Sequence, residues 1–521
     1  MNVQEFVNQT LRRPAYMLPV ALVILLLDVV AVMVTGPTRV RTGTDRTGAV
    51  EPGVASPVES LPPEVAAAQE AARQAARRRS GATGTRVGAD TAISDTEIAV
   101  GMLYVTNPGT ANQAAGFTTT NPQVDQKRAW ELMVKEVNKN APGGRKVVPV
   151  FFSTSEENAV NKGETLWEEA CTKWTKDNKV FLAWVAGTDT LKRCLTNNRV
   201  AQIGLGGGYS WEKTFKDFPW LIEHNSAALD RVAQFEVDQL HARGFFSKCK
   251  TTSRTELACV DGQPRIALIR YDQPAWKAAA AKMKAALASH GLALCNDCEF
   301  EMTLGATADV RAQLDDATEI SSFVTSCKGV KTAPGAQPGP CTHLLFLGET
   351  GCRQQPFYMP PAEQQNFRPR LGLNSLDCDG ADFWDRNHRP DYPDNQYNES
   401  IYVGHNPGEF GLRPAAFQEC KKLFEAGGET FGGSDDPDNE KEDQIDFYCD
   451  TAWYHIAAFN KVGKTVNLDT FLNGVANTGL VKSAGTFLMQ TTATRHDGAG
   501  AIRIGQWDPG ECRCFKPITG D

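Results

Sequence analysis

Ile98 to Tyr104 (IAVGMLY), then Gln123 to Asn138 (QVDQKRAWELMVKEVN), then Val147 to Phe152 (VVPVFF) decide the architecture of this chain. The outer two segments are unbroken apolar runs of strand length. The middle one places Ala129, Leu132, Met133 and Val137 on one helical stripe. A strand that is apolar on both faces needs cover on both faces, which is the condition of a parallel sheet flanked by helices. The alternation continues outward. An amphipathic helix runs through Trp167, Cys171 and Trp174, and Val180 to Ala186 (VFLAWVA) is a third strand. A short helix through Leu191 and Cys194 leads to a fourth, Ala201 to Leu205 (AQIGL). After Ser226 a helix passes through Val232, Phe235 and Leu240. The strands then restart at Arg265 to Tyr271 (RIALIRY), Glu299 to Leu304, His343 to Leu347 (HLLFL) and Arg370 to Leu373. From Asp95 onward about 425 residues remain, more than one core usually holds, so two lobes are expected.

Upstream, Met17 to Val34 (MLPVALVILLLDVVAVMV) is long enough to cross a hydrocarbon core about 30 Å thick. Asp28 opposes insertion by roughly 3 kcal/mol, and the Leu, Ile and Val residues of the run outweigh it. The expected order is a short cytoplasmic tail at 1–14, a transmembrane anchor at 15–35 and a Pro/Ala/Arg-rich tether at 36–94. A cleaved signal peptide is the competing reading, though its apolar region is usually shorter and ends in small residues. The tether segment Glu64 to Arg79 has Ala at nearly every apolar position and little to bury. The expected location is the cell membrane, single-pass, with the folded region extracytoplasmic.

All 14 cysteines follow the anchor. They fall in neighbouring couples, as in an oxidising compartment rather than a metal quartet. The expected pairs are Cys171 with Cys194, Cys249 with Cys259, Cys327 with Cys341, Cys352 with Cys378, and Cys420 with Cys449, with Cys295/Cys298 and Cys512/Cys514 left unassigned. Sequence does not fix this connectivity. Only Cys295-Asn-Asp-Cys298 has the form of a zinc knuckle, and a zinc site needs more donors than that.

Other chemistries find little support. The formal net charge of −8 and pI near 5.7 argue against nucleic-acid binding. Gly204-Leu-Gly206-Gly207-Gly208 lacks the full dinucleotide fingerprint and has no following Lys-Ser/Thr for phosphate. The eight histidines are scattered, and neither a G-x-S-x-G elbow nor an H-E-x-x-H pair occurs. Asp435 to Asp443 (DDPDNEKED) has Lys441 where a calcium loop needs Gly, and it reads as a solvated acidic loop. No cofactor, no metal and no enzymatic activity is expected.

The segment IAVGMLYVTNPG, then Lys127 to Asn138, Gly143-Gly144-Arg145-Lys146 and VVPVFF, resembles the start of the type I periplasmic-binding fold. The likeness is to substrate-binding proteins of the branched-chain amino acid ABC transporter class. Val185-Ala186-Gly187-Thr188, Ile269-Arg270-Tyr271-Asp272 and the late helix Ala452 to Gly463 agree with it, over about Asp95 to Pro517. The proposed Cys171–Cys194 pair also matches a disulfide location in that family. The resemblance implies an α/β, two-lobed protein. Lobe one spans 95–228 plus about 400–485, and lobe two spans 229–399 plus about 486–521.

Ligands of such folds sit outside the carboxyl ends of the strands. Here the resemblance places Thr188, Asp189, Thr190, Gly207, Gly208, Tyr209 and Ser210 on lobe one. On lobe two it places Tyr271, Trp276, Glu349, Asn374 and Ser375. Lobe one would hold a carboxylate and Glu349 an ammonium group, as the family holds amino acids. Other readings stay open: Gly206-Gly207-Gly208 as a turn, Trp276 as filler at the base of a helix, Glu349 as a surface carboxylate. The expected activity is a membrane-anchored solute-binding protein that closes on a small polar ligand, an amino acid or related carboxylate, and delivers it to an ABC permease. An extracellular sensor or adaptor acting through a partner membrane protein is the alternative.

Overall fold

The computed structural model describes residues 92–106, 124–155, 158, 162–185, 187–204, 210–247, 264–302, 322–323, 341–347, 362–365, 367–375, 394–410, 412–431, 440–509 and 514–518. The expected tail, the anchor at 15–35 and the tether as far as residue 91 lie outside them. Among the described residues no helix is long and apolar enough to cross a membrane. The folded region begins slightly before the expected boundary at 94, because Ile93 is buried and bridges Ile98.

The first lobe is built from β1 (Glu97–Thr106), α1 (Gln126–Asn140), β2 (Lys146–Ser155), α2 (Glu164–Thr172), β3 (Leu182–Trp184), α3 (Asp189–Asn197), β4 (Ala201–Gly204), α4 (Glu212–Asp217) and β5 (Leu221–Glu223). Its five strands lie in the order β2-β1-β3-β4-β5, all parallel. Asp125 caps α1 by accepting from the Arg128 N–H at 3.0 Å. The buried face of that helix is Ala129, Trp130, Met133, Val134 and Val137, while Leu132 is only half-buried. VVPVFF reads as a fully covered strand, but β2 is the sheet edge and is mostly half-buried. That position accommodates Pro149, which has no N–H to give to a second neighbour. A π-helical turn, Lys173–Asp177, continues α2 and carries Trp174 into the core. There its Nε1 donates to the Val150 carbonyl at 3.0 Å. Gly101 on β1 makes room for the ring, since a Cβ there would stand 2.8 Å from it. The Cys171–Cys194 disulfide then ties α2 to α3.

The second lobe comprises α5 (Leu229–Ala242), β6 (Ile266–Tyr271), α6 (Pro274–Ser289), β7 (Leu294–Met302), β8 (His343–Leu347), β9 (Arg370–Asn374) and β10 (Ile401–Gly404). The chain then returns to the first core through α7 (Ala415–Ala426), α8 (Asp446–Phe459) and α9 (Leu468–Ala476), where the Cys420–Cys449 disulfide joins α7 to α8. It ends with β11 (Arg503–Asp508) and β12 (Cys514–Pro517) back in the second sheet, ordered β12-β11-β10-β9-β8-β6-β7.

Two expectations are corrected here. The return to lobe one comes after β10 rather than at about 400, because β10 pairs with β9 in the second sheet. That sheet is also mixed, since β11 runs antiparallel to both β10 and β12. The expected pairs Cys171–Cys194 and Cys420–Cys449 form, and Cys341 is disulfide-bonded. Cys249, Cys259, Cys327, Cys352 and Cys378 lie outside the described residues.

Candidate functional site

Among the described residues the chain passes between the two cores at three places: from β5 to α5, from β10 to α7, and from α9 to β11. Two of these crossings leave from the carboxyl ends of parallel strands, so the carboxyl edges of both sheets border one hinge. The crossings are hydrogen-bonded together. Gly498 N–H donates to the Glu223 carbonyl at 2.7 Å, Ala499 N–H to Ser226 at 2.9 Å, and Phe487 N–H to His405 at 3.1 Å. Only glycine fits at 498, because a Cβ there would lie 1.8 Å from the His224 carbonyl oxygen.

The hinge is polar and buried. Asp497, 4% exposed, accepts from the Ala228 N–H at 2.9 Å and from Arg231 Nε at 2.6 Å. Arg231 also donates to the Ala499 carbonyl at 2.7 Å. These bonds clamp the first crossing to the third. Beside them, Ser210 donates to Glu223 Oε1 at 2.5 Å and Ser226 donates to Oε2 at 3.1 Å. Lys192 Nζ stands 3.5 Å from the Ser210 hydroxyl. Burial pushes the Glu223 carboxyl above its ordinary range against the pull of Lys192 and the two serines. Burial holds His224 down at about 3 and His405 at about 4, and lowers His496 as well. These imidazoles are neutral at pH 7, and the fixed cations of the region are Lys192, Arg231 and Arg495.

The expected ligand residues divide into groups. Thr188 is the N-cap of α3, and Asp189 and Thr190 open its first turn, at the carboxyl edge of the first sheet. Asp189 is exposed, Thr190 is half-buried, and Thr188 donates to Glu164 at 3.0 Å. Ser210 belongs to the Glu223 network rather than to an open loop. Ser375, half-buried at the end of β9, accepts the His405 N–H at 2.8 Å and so adjoins the second crossing.

Three residues face inward. Trp276 is fully buried in the second core, its ring 5.8 Å from that of Tyr271, which is itself 3% exposed. Asn374 is also fully buried, giving its amide to Glu236 at 2.6 Å and to the Phe346 carbonyl at 3.1 Å. These side chains are committed to lobe packing, and the helix-base reading of Trp276 matches the packing. Gly206, Gly207, Gly208, Tyr209 and Glu349 lie outside the described residues. The residues that reasoning from sequence missed are Lys192, Glu223, Arg231 and Asp497. Of these only Glu223 left a signal, a charge directly after Trp220-Leu-Ile222; Lys192, Arg231 and Asp497 sit in mixed polar segments.

No family model and no curated protein matches the chain. Solved structures do. A solute-binding protein of an ABC transporter from Rhodopseudomonas palustris BisB5, in complex with 3,4-dihydroxybenzoic acid, is 12% identical with a TM-score of 0.52. That match covers 82% of this chain and 97% of the other. A solute-binding protein from Rhodopseudomonas palustris HaA2 in complex with p-hydroxybenzoic acid is 11% identical with a TM-score of 0.51, covering 81% and 96%. An extracellular ligand-binding receptor from the same strain is 10% identical with a TM-score of 0.51, covering 81% and 100%. At these identities the likeness is one of fold, and the fold is the two-lobed α/β architecture of periplasmic-binding proteins. The first two neighbours are solute-binding proteins of ABC transporters, and the third is a ligand-binding receptor.

Proposed function

We propose that this chain is an extracytoplasmic solute receptor, held to the cell membrane by its N-terminal apolar segment, that closes two lobes on a small carboxylate and delivers it to an ABC permease. The observation that carries the reading is the hinge, a hydrogen-bonded set of crossings bordered by the carboxyl edges of both sheets. A ligand touching both edges favours the closed state by its differential contacts, and one touching a single lobe does not. The hydroxyl groups of the region suit a carboxylate, while Lys192 pairs with Asp189 at 3.7 Å and Arg231 with Asp497. Lys192, Arg231 and Arg495 surround the hinge, and Thr188, Thr190 and Ser375 sit on the two edges. Two of the fold neighbours cited above were solved with hydroxybenzoates, and such acids share the carboxylate of an amino acid.

The test is thermal unfolding of the full chain against benzoates, amino acids and small aliphatic acids. A ligand present at 100 times its dissociation constant adds about 2.7 kcal/mol to the folded state and raises the midpoint visibly. A carboxylate hit that is lost in Thr188→Ala together with Ser375→Ala supports the site. Silence across the panel favours the sensor or adaptor reading, to which the inward commitment of Trp276 and Asn374 lends weight.

A further inference from the structure

We propose that the second lobe carries a site for a divalent transition-metal cation such as Zn2+, held by Asp238 and His241 of α5 and by His290 at the end of α6. The eight histidines are scattered along the sequence, but the fold stacks two of them. The rings of His241 and His290 lie 4.0 Å apart between centroids, with their planes 14° from parallel. Nε2 of His290 stands 2.8 Å from Oδ1 of Asp238. Two imidazoles and one carboxylate make a donor set for Zn2+, Co2+ or Ni2+, whereas Ca2+ and Mg2+ take oxygen ligands.

The fold explains why these three residues meet. Asp238 and His241 are three positions apart on α5 and so share one face of that helix. His290 is the C-cap of α6. In chain order α5 leads into β6 and α6 into β7, and β6 and β7 are parallel, so both helices end at the amino edge of the second sheet. That edge is opposite the hinge, which makes the cluster separate from the proposed ligand site. A helix C-terminus carries the negative end of its dipole, and two of them beside a carboxylate favour a cation. The cluster is also accessible. His241 is exposed, and the side chains of His290 and Asp238 are 25% and 37% exposed.

His290 and Asp238 form the fixed half of the site. Two donors bound to one ion at about 2.0–2.2 Å stand roughly 3 Å from each other, and this pair already has that spacing. His241 is the movable half. It lies face to face with His290 and does not yet aim a nitrogen at the point the other two donors bracket, so its exposed ring must turn to complete the set. Three protein donors leave a fourth position for water. An ion held this way bridges α5 to α6 across 52 positions of sequence, and because the unfolded chain does not assemble the site, it stabilises the folded lobe by mass action.

The test titrates the untagged full-length protein, stripped with a chelator, with ZnCl2 in a calorimeter, alongside His241→Ala, His290→Ala and Asp238→Asn. The wild type is expected to bind Zn2+ and to unfold at a higher temperature in its presence. Each variant is expected to weaken binding by about tenfold or more and to lose the rise in midpoint. His241→Ala removes only an exposed ring, so it tests the site without threatening the fold. Co2+ added to the wild type gives a readout that needs no variant: d–d absorption without cobalt–thiolate charge-transfer bands is expected. Zn2+ binding at wild-type strength in His241→Ala and His290→Ala, a cobalt spectrum of thiolate ligation only, or no binding by the wild type each overturns the proposal.

Discussion

Glu236 offers the sharpest test of how the second lobe is held together. It lies on α5 with no exposure and accepts the Asn374 amide at 2.6 Å through Oε2, while Oε1 has no hydrogen-bond partner among the described residues. Burial pushes its carboxyl from 4.5 up to about 8. A carboxyl raised in the folded state adds stability that is fully present below pH 4.5 and is lost as pH rises through 8. A shift of that size corresponds to roughly 5 kcal/mol at 1.36 kcal/mol per unit, lost across that window. Glu236→Gln keeps the shape and removes the titration. At pH 5 the variant should match the wild type within about 1 kcal/mol, and at pH 9 it should be the more stable by several. Guanidinium unfolding of both proteins at pH 5, 7 and 9 measures the difference directly. A difference that stays constant across the three pH values would refute the assignment of a protonated buried carboxyl.

Three further perturbations test other parts of the structure. Gly498→Ala drives a methyl into the His224 carbonyl. It should destabilise by about 3 kcal/mol or more and leave any surviving fold with an altered lobe angle in small-angle scattering. A normal midpoint and an unchanged scattering profile would dissolve the hinge contact. Asp450, fully buried, accepts from Ser483 Oγ at 2.6 Å, Ala484 N at 2.7 Å and Gly485 N at 3.1 Å. Asp450→Ala leaves those donors unpaired and should cost about 2–4 kcal/mol by denaturant unfolding, whereas a loss below 1 would mean the loop finds other acceptors. Removing the Cys420–Cys449 disulfide, which closes 29 residues, should lower stability by roughly 3.5 kcal/mol on the chain-entropy estimate. Equal unfolding midpoints for wild type and Cys420→Ala/Cys449→Ala would count against the bond.

What was legible in the sequence was whatever a continuous apolar run or a single helical stripe can announce. IAVGMLY and HLLFL are covered on both faces, and both appear as central strands. β5, β10, β11 and β12 went unseen: β5, β10 and β12 span only three or four residues each, and β11 follows neither a clean alternation nor a long run. Trp276 shows a different limit. Its spacing after RIALIRY correctly marked the start of α6, but spacing along a chain does not say which side of a helix faces the core. The hinge was invisible for a third reason. Arg231 and Asp497 meet across 266 positions, and Glu236 meets Asn374 across 138. No local pattern encodes such a meeting, since a charge at either position alone reads as surface. Yet burying a charge is tolerated only where its partner is guaranteed. A Glu or Lys interrupting an apolar segment is therefore the trace such pairs leave in a sequence. In this chain Glu223, after Trp220-Leu-Ile222, is such an interruption and adjoins the hinge, whereas Lys192 and Glu236 sit in mixed polar helices where one more charge carries no signal.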